Sequence, residues 1–252
     1  MTNRLGRADL HIHTTVSDGM ASPEDVVRWA TEHTALDVIA VTDHDRLDGA
    51  LRAREFARMS GANVEVVAGI EITTRRGHLL ALFVEEPVPS LRSLSQTIEA
   101  VHAQGGLCVI PHPMSLLPPS LRRRTIDRMM APSDWRPRVD GIEVINPTPV
   151  QSWWQRRVQQ RNAESWHLAE IGGSDAHFPE QIGSAVTRFP GRTAADLKLA
   201  LDARLASAER RSGPPLREIG ARRLMRQQGR AMLATPRAVI GPALRRRFGV
   251  KR

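Results

Sequence analysis

The chain is short of cysteine, lysine and long apolar runs, and each shortage excludes something. One cysteine, Cys108, among 252 residues rules out an internal disulfide and fits a reducing cytoplasm. It sits in the apolar run Leu107-Cys108-Val109-Ile110 and reads as a small buried apolar group. No run of about 18 apolar residues exists, so no membrane-spanning helix is expected. The opening Met1-Thr2-Asn3-Arg4 has no apolar signal core. Lys198 and Lys251 are the only lysines among 36 basic residues. No internal repeat is present.

The charge is uneven. The net charge is +9, yet 13 basic residues and one acidic residue lie between Arg210 and Arg252. Residues 1–209 are therefore net negative, and the basic character belongs to the tail. Hydrophobic residues make up 41%, enough to bury a full core in one large α/β domain.

Strand-like and helix-like segments alternate. Strands are expected over Ala8–His13, Asp37–Thr42, Val64–Ile72, His78–Val84, Leu107–Ile110, Gly141–Ile145 and His167–Gly172. Helices are expected over Pro23–His33, with Ser22 as cap, and over Leu47–Ser60, Leu91–Gln104, Val150–Glu164 and Thr193–Ala206. This rhythm implies a mostly parallel sheet, open or closed into a barrel. The catalytic domain is expected over residues 1–210, with an insertion over 113–138 that forms a wall or lid beside His112. A basic tail, residues 211–252, follows the linker Ser212-Gly213-Pro214-Pro215.

Nine residues able to bind metals collect at the strand ends: His11, His13, Asp18, His44, Glu71, His78, His112, Asp175 and His177. Six of the nine histidines belong to this set. Alternate residues of a strand share a face, so His11-x-His13 aims two imidazoles the same way. In (β/α) barrels the chemistry sits where strands end and loops begin. Nine nitrogen and oxygen ligands exceed the needs of one ion and suit two or three. Six imidazoles favour Mn, Zn or Fe over Mg or Ca. His33, His102 and His167 lie off the strand ends and are assigned no chemistry.

The blocks Asp9-Leu10-His11-Ile12-His13-Thr14 with Ser17-Asp18-Gly19, Thr42-Asp43-His44-Asp45, Gly69-Ile70-Glu71, Pro111-His112-Pro113, Ile142-Glu143-Val144-x-Asn146 and Gly173-Ser174-Asp175-Ala176-His177 resemble the PHP (polymerase and histidinol phosphatase) family of metal-dependent phosphoesterases. Within it, they look most like the bacterial stand-alone subgroup that acts on nucleotides and short RNA. The resemblance covers roughly Ala8 to Ala206. It implies a distorted (β/α)7 TIM-like barrel and a trinuclear site. His11, His13, Glu71 and Asp175 would hold one metal. Glu71 would bridge to a second, held by His78 and His112. Asp18, His44 and His177 would hold the third. Asp43 would orient a ligand imidazole, and Asn146 would line the pocket.

A metal site of this kind can activate water and neutralise phosphate oxygens. The expected activity is hydrolysis of a phosphate ester, a nucleotide or short-RNA phosphomonoester above all. Catalytic roles fall to Glu71, His177 and Asp43; the leaving oxygen could take its proton from His177, Asp43 or a metal-bound water. Arg122, Arg123 and Arg136 in the insertion are candidate substrate contacts. A carboxyl ester, amide or cyclic phosphodiester on the same cluster, or a nucleic-acid or membrane-binding module with structural metals, are the alternatives.

In the tail, Ala221, Leu224, Met225 and Met232 approximate one apolar helical face, with arginines elsewhere. Such a helix binds a polyanion, RNA or an anionic membrane surface, or else packs on its own barrel. Phe248 is its one aromatic residue, so base stacking by the tail is not expected. All nine candidate ligands precede Asp196, so the tail is expected to be dispensable for the metal site.

Overall fold

The computed structural model describes residues 5–115, 120–131, 138–148 and 153–248. Strands β1 (Leu5–Ile12), β2 (Val38–Val41) and β3 (Glu65–Thr73) run parallel, linked by helices α1 (Pro23–His33) and α2 (Asp48–Ser60). Ser22 caps α1 through its hydroxyl, which accepts from Asp25 N. β4 (His78–Leu82) follows and, after α3 (Leu94–His102), β5 (Leu107–Ile110). Then come α4 (Arg123–Met130), β6 (Gly141–Ile145), α5 (Gln155–Arg161), β7 (Ala169–Gly172), β8 (Ala185–Pro190), α6 (Ala194–Asp202) and β9 (Ser207–Arg210). Helices α7 (Leu216–Ile219) and α8 (Ala221–Phe248) form the tail.

Among the described residues the sheet order is β7-β6-β5-β4-β3-β2-β1-β8-β9. It is more mixed than the βα rhythm implies. β4 runs antiparallel to both β3 and β5, because Thr74 to Gly77 closes a tight turn in which Thr74 N donates to Gly77 O at 3.0 Å. So short a link permits a hairpin and no parallel crossover. β8 and β9 form a second antiparallel pair, joined to the edge of β1. Helix α4 lies inside the expected insertion, and α5 passes into a π-helical turn, Asn162–Trp166, before β7.

The sheet curls into a nearly closed barrel. Its end strands, β7 and β9, lie against each other. Thr187 of β8 ties to β7 with its hydroxyl: Gly172 N donates to it at 3.1 Å, and it donates to Gly172 O at 3.0 Å. Two apolar layers result. The outer one packs Ile39, Val41, Ile70 and Ile72 against α1, α2 and α3. The inner one holds Leu10, Ala40, Val67, Leu80, Leu82, Val109, Ile171 and Phe189, with Leu197 and Leu201 of α6 packed into it.

The inner layer determines which side chains reach the barrel mouth. Glu71 follows the inward parity of Val67, and His78 that of Leu80 and Leu82. On β1 the parity fails: Ala8 and Leu10 face inward, so His11 should face out. The β1–β2 register shifts between Asp9 and Ile12. A shift of this kind re-aims the side chains beyond it, and it turns His11 and His13 inward together.

Candidate metal centre

The nine strand-end residues converge. Glu71 is central and buried. Its Oε1 lies 2.7 Å from His78 Nδ1 and 2.8 Å from His112 Nε2. Its Oε2 lies 3.3 Å from His11 Nε2, His13 Nε2 and His44 Nδ1. Asp175 Oδ1 faces the same pair, 3.5 Å from His11 Nε2 and 3.4 Å from His13 Nε2. On the far side Asp18 Oδ2 stands 3.1 Å from His177 Nε2 and 3.8 Å from His44 Nε2. His13 also joins this second group, with Nδ1 3.6 Å from Asp18 Oδ1.

Backbone geometry fixes these positions. His44 and Glu71 are bridged between the ends of β2 and β3. Beyond β7 the chain turns onto the end of β1, where His13 N donates to Ala176 O at 2.9 Å. Two candidate ligands sit in left-handed conformations, His112 at φ 28° and Asp175 at φ 52°. Non-glycine residues adopt such angles at a cost that recurs at functional sites. Gly19 closes the Asp18 loop so tightly that a Cβ there would lie 2.3 Å from His13 O.

Three of the six imidazoles are held from behind. His11 Nδ1 meets Glu143 Oε1 at 3.0 Å, His112 Nδ1 meets Ser120 Oγ at 3.0 Å, and His177 Nδ1 donates to Asp175 O at 2.9 Å. A partner at the outer nitrogen orients the ring and leaves the inner nitrogen for a metal. Glu143 received no role from its sequence, although a lone carboxylate in the strand Gly-Ile-Glu-Val-Ile is the signal of a paired buried charge. It is fully buried, and its Oε2 accepts from His112 N at 2.7 Å and from Asn146 Nδ2 at 2.9 Å.

The electrostatics show what the cluster needs. Burial disfavours charge on Glu71, Asp18 and Asp175, yet the facing imidazoles hold all three below the usual carboxylate range. Burial also opposes charge on His13, but Asp175 and Glu71 push it up to about 10. Against the same opposition His11 is raised by Asp175, Glu143 and Glu71, His112 by Glu71 and Asp175, and His177 by Asp18 and Asp175. Burial carries His44 down to about 4. In the protein alone, protons shared with the imidazoles balance the carboxylates. Both ring nitrogens of His13 and Nδ1 of His44 are buried without a hydrogen-bond partner. Orphaned imidazole nitrogens facing carboxylate oxygens fit divalent cations: donors roughly 2 Å from an ion stand about 3–4 Å apart, and four ligand groups here hold their donor atoms within 4.8 Å of one another.

Other expected residues fall outside this set. Asp43 orients no imidazole: its four hydrogen bonds go to Thr14 and Ser17, so it fixes the loop that carries Asp18. Asn146 is fully buried, with Nδ2 on Glu143 and, at 3.3 Å, on Asp175 Oδ2, while its Oδ1 accepts from Thr148 N in an Asx turn. That puts it behind the candidate ligands rather than in an open pocket. Arg122 and Arg123 are exposed, and Arg123 pairs with Asp127 at 3.6 Å. Neither bonds to a candidate ligand among the described residues, and Arg136 lies outside them. The described part of the insertion meets the cluster through Ser120, whose Oγ lies 3.0 Å from His112 Nδ1. His33 stacks on Trp29, and His102 pairs with Asp140 at 2.8 Å.

Comparison with known proteins agrees with the geometry. The PHP domain model matches residues 9–109 and the PHP-associated model matches residues 153–204. An uncharacterized protein of Methanocaldococcus jannaschii is 34% identical over 151 residues, which cover 56% of this chain and 81% of that protein. The chain belongs to the PHP domain family. The 5'-3' exoribonuclease Rnm of Salmonella typhimurium is 36% identical over 111 residues, covering 42% of this chain and 38% of the exoribonuclease. A two-domain Bacteroides vulgatus protein, described as containing a predicted PHP-like metal-dependent phosphoesterase, shares the fold with TM-score 0.65. It is 21% identical, and the match covers 82% of this chain and 65% of that one.

Proposed function

We propose that this PHP-family protein is a metal-dependent phosphoesterase that hydrolyses the phosphomonoester of a nucleotide or short RNA. The observation that carries the reading is the convergence of nine nitrogen and oxygen ligands at the barrel mouth, with buried His13 and His44 nitrogens left unpaired. His11, His13, Glu71 and Asp175 would hold one cation. His78 and His112 would hold a second on the other oxygen of Glu71. Asp18, His44 and His177 would hold a third, with His13 in reach of it. Two to three Mn, Zn or Fe ions suit this donor set. When bound, they supply a water acidic enough to lose its proton near neutral pH and neutralise phosphate oxygens.

The protein's own residues do the rest. Glu143, Ser120 and the Asp175 carbonyl hold the rings of His11, His112 and His177 in register. Asp43 and Gly19 keep Asp18 facing the cluster. His177 has the most exposed ring of the six, at 18%. If it does not ligate, its Nε2 would give a proton to a leaving oxygen that arrives from solvent; as a ligand it would have no proton there to give. Asp43 is fully buried and saturated with hydrogen bonds, which argues against it as that acid. The exonuclease relative favours RNA ends among phosphate esters. The exposed arginines Arg122, Arg123, Arg222 and Arg226 would meet the backbone of a longer substrate or an anionic membrane surface.

The test is a substrate screen of the Mn-loaded protein against 5'-phosphorylated oligoribonucleotides, mononucleotides, sugar phosphates, cyclic phosphodiesters and carboxyl esters. Release of inorganic phosphate from the first two classes is expected. Turnover of esters or amides alone, with every phosphate ester intact, would overturn the reading.

A further inference from the structure

The C-terminal helix α8 reaches the metal centre. Its docked face is not the apolar stripe that its sequence suggests: Met225 is 69% exposed and Met232 80%. Gln227 and Ala234 are buried instead, with half-buried Leu224, Arg230 and Ala231 beside them at three- and four-residue spacing. The tail therefore packs on its own barrel, through a face centred on an amide.

That amide meets a candidate ligand. Gln227 Nε2 donates to Asp18 Oδ2 at 3.2 Å, the oxygen that faces His177 and His44. One turn later Arg230 Nη2 donates to Thr15 O at 2.6 Å and to Ser17 O at 2.9 Å, gripping the loop before Asp18. One turn earlier Arg223 pairs with Glu180 at 2.8 Å and lies over the Phe178 ring, just beyond His177. Successive turns of α8 thus hold both sides of the Asp18–His177 pair. Burying a glutamine side chain forfeits rotamer freedom, while the helix leaves two methionines in water. Apolar burial does not explain that choice; fixing Asp18 does.

We propose that α8 is an integral part of the metal centre, and that Gln227 is a positioning residue that sets cation occupancy of the Asp18–His44–His177 group. This inference rests on the metal-centre reading above. It replaces the expectation that the tail is dispensable.

The test titrates Mn into the metal-free, full-length protein, followed by calorimetry and electron paramagnetic resonance. Gln227→Met keeps length and helix propensity but removes the donor. One Mn-binding event should weaken about 10–100-fold, as changes behind metal ligands typically do, while the others hold. Met225→Ala, on the exposed face of α8 away from both loops, should leave Mn affinity unchanged. A second measurement needs no variant: because coupling is reciprocal, hydrogen exchange across residues 221–234 of the wild type should slow when Mn is added. Wild-type affinities in Gln227→Met, an equal loss in Met225→Ala, or exchange in α8 indifferent to Mn would each overturn the proposal. A wild type that binds no Mn would defeat the metal-centre reading as well.

Discussion

Replacing Glu143 by glutamine changes one atom type behind the metal centre, and the structure says what should follow. The carboxylate serves three donors: His11 Nδ1 at 3.0 Å, His112 N at 2.7 Å and Asn146 Nδ2 at 2.9 Å. A glutamine offers one acceptor oxygen. If that oxygen stays with His112 and Asn146, the new NH2 faces His11 Nδ1. His11 must then accept there and carry its proton on Nε2, which removes the lone pair from the side facing Glu71 and Asp175. If the amide flips, it meets the His112 N–H donor to donor, and the unmet buried group costs about 1–3 kcal/mol. Either route costs about 10–100-fold in metal affinity, or roughly 1.4–2.8 kcal/mol. Calorimetric titration with Mn, alongside near-ultraviolet circular dichroism to show an intact fold, reads the effect. A folded Glu143→Gln protein with wild-type Mn affinity would refute the role of Glu143 in holding His11.

Three further outcomes follow from the same geometry. Glu71→Gln should abolish turnover while the barrel stays folded, because a neutral amide cannot offset two dications; phosphate release at a near wild-type rate would show that Glu71 does not bridge. Gly173→Ala should mimic the Glu143 change, since its Cβ would lie 2.4 Å from Glu143 Oε1 and 2.7 Å from His11 Cβ; a variant with wild-type Tm and Mn affinity would contradict this. Mn binding at pH 7 should release protons into weakly buffered solution. Against the pull of burial, Asp175 and Glu71 raise His13 from 6.5 to about 10, so it is protonated at pH 7 and must become neutral to ligate. Mn affinity should therefore climb as pH rises from about 6.5 to about 10. By the same sign, the stability that His13 lends the metal-free fold is full below about 6.5 and lost as pH rises through about 10. Binding with no proton release would contradict the protonation described.

The convergence of the nine candidate ligands was legible in the sequence because chemistry and periodicity coincide there. His, Asp and Glu stand at the ends of apolar strands, where a barrel places its site. Ser22-Pro23 and Leu107–Ile110 marked their elements for equally local reasons. What was illegible depends on pairing across the chain. β9, Ser-Ala-Glu-Arg, has no apolar run and exists because β8 supplies its hydrogen bonds. β4 looked like one more parallel strand until the Thr74–Gly77 turn reversed it. The β1 register shift cannot be seen in an alternating His-x-His, which reads the same facing in or out. Gln227 had no local signal: on the helical wheel it is one polar residue among arginines, and docking alone makes it significant.

The central claim is that the nine residues hold catalytic metal ions. Elemental analysis of chelator-stripped protein after Mn return, with phosphate release from a 5'-phosphorylated oligoribonucleotide measured on the same sample, tests it most directly. Two to three equivalents of Mn, on the order of nine ligands shared three or four to an ion, should return together with turnover. Less than one equivalent, with no activation by Mn, would contradict it.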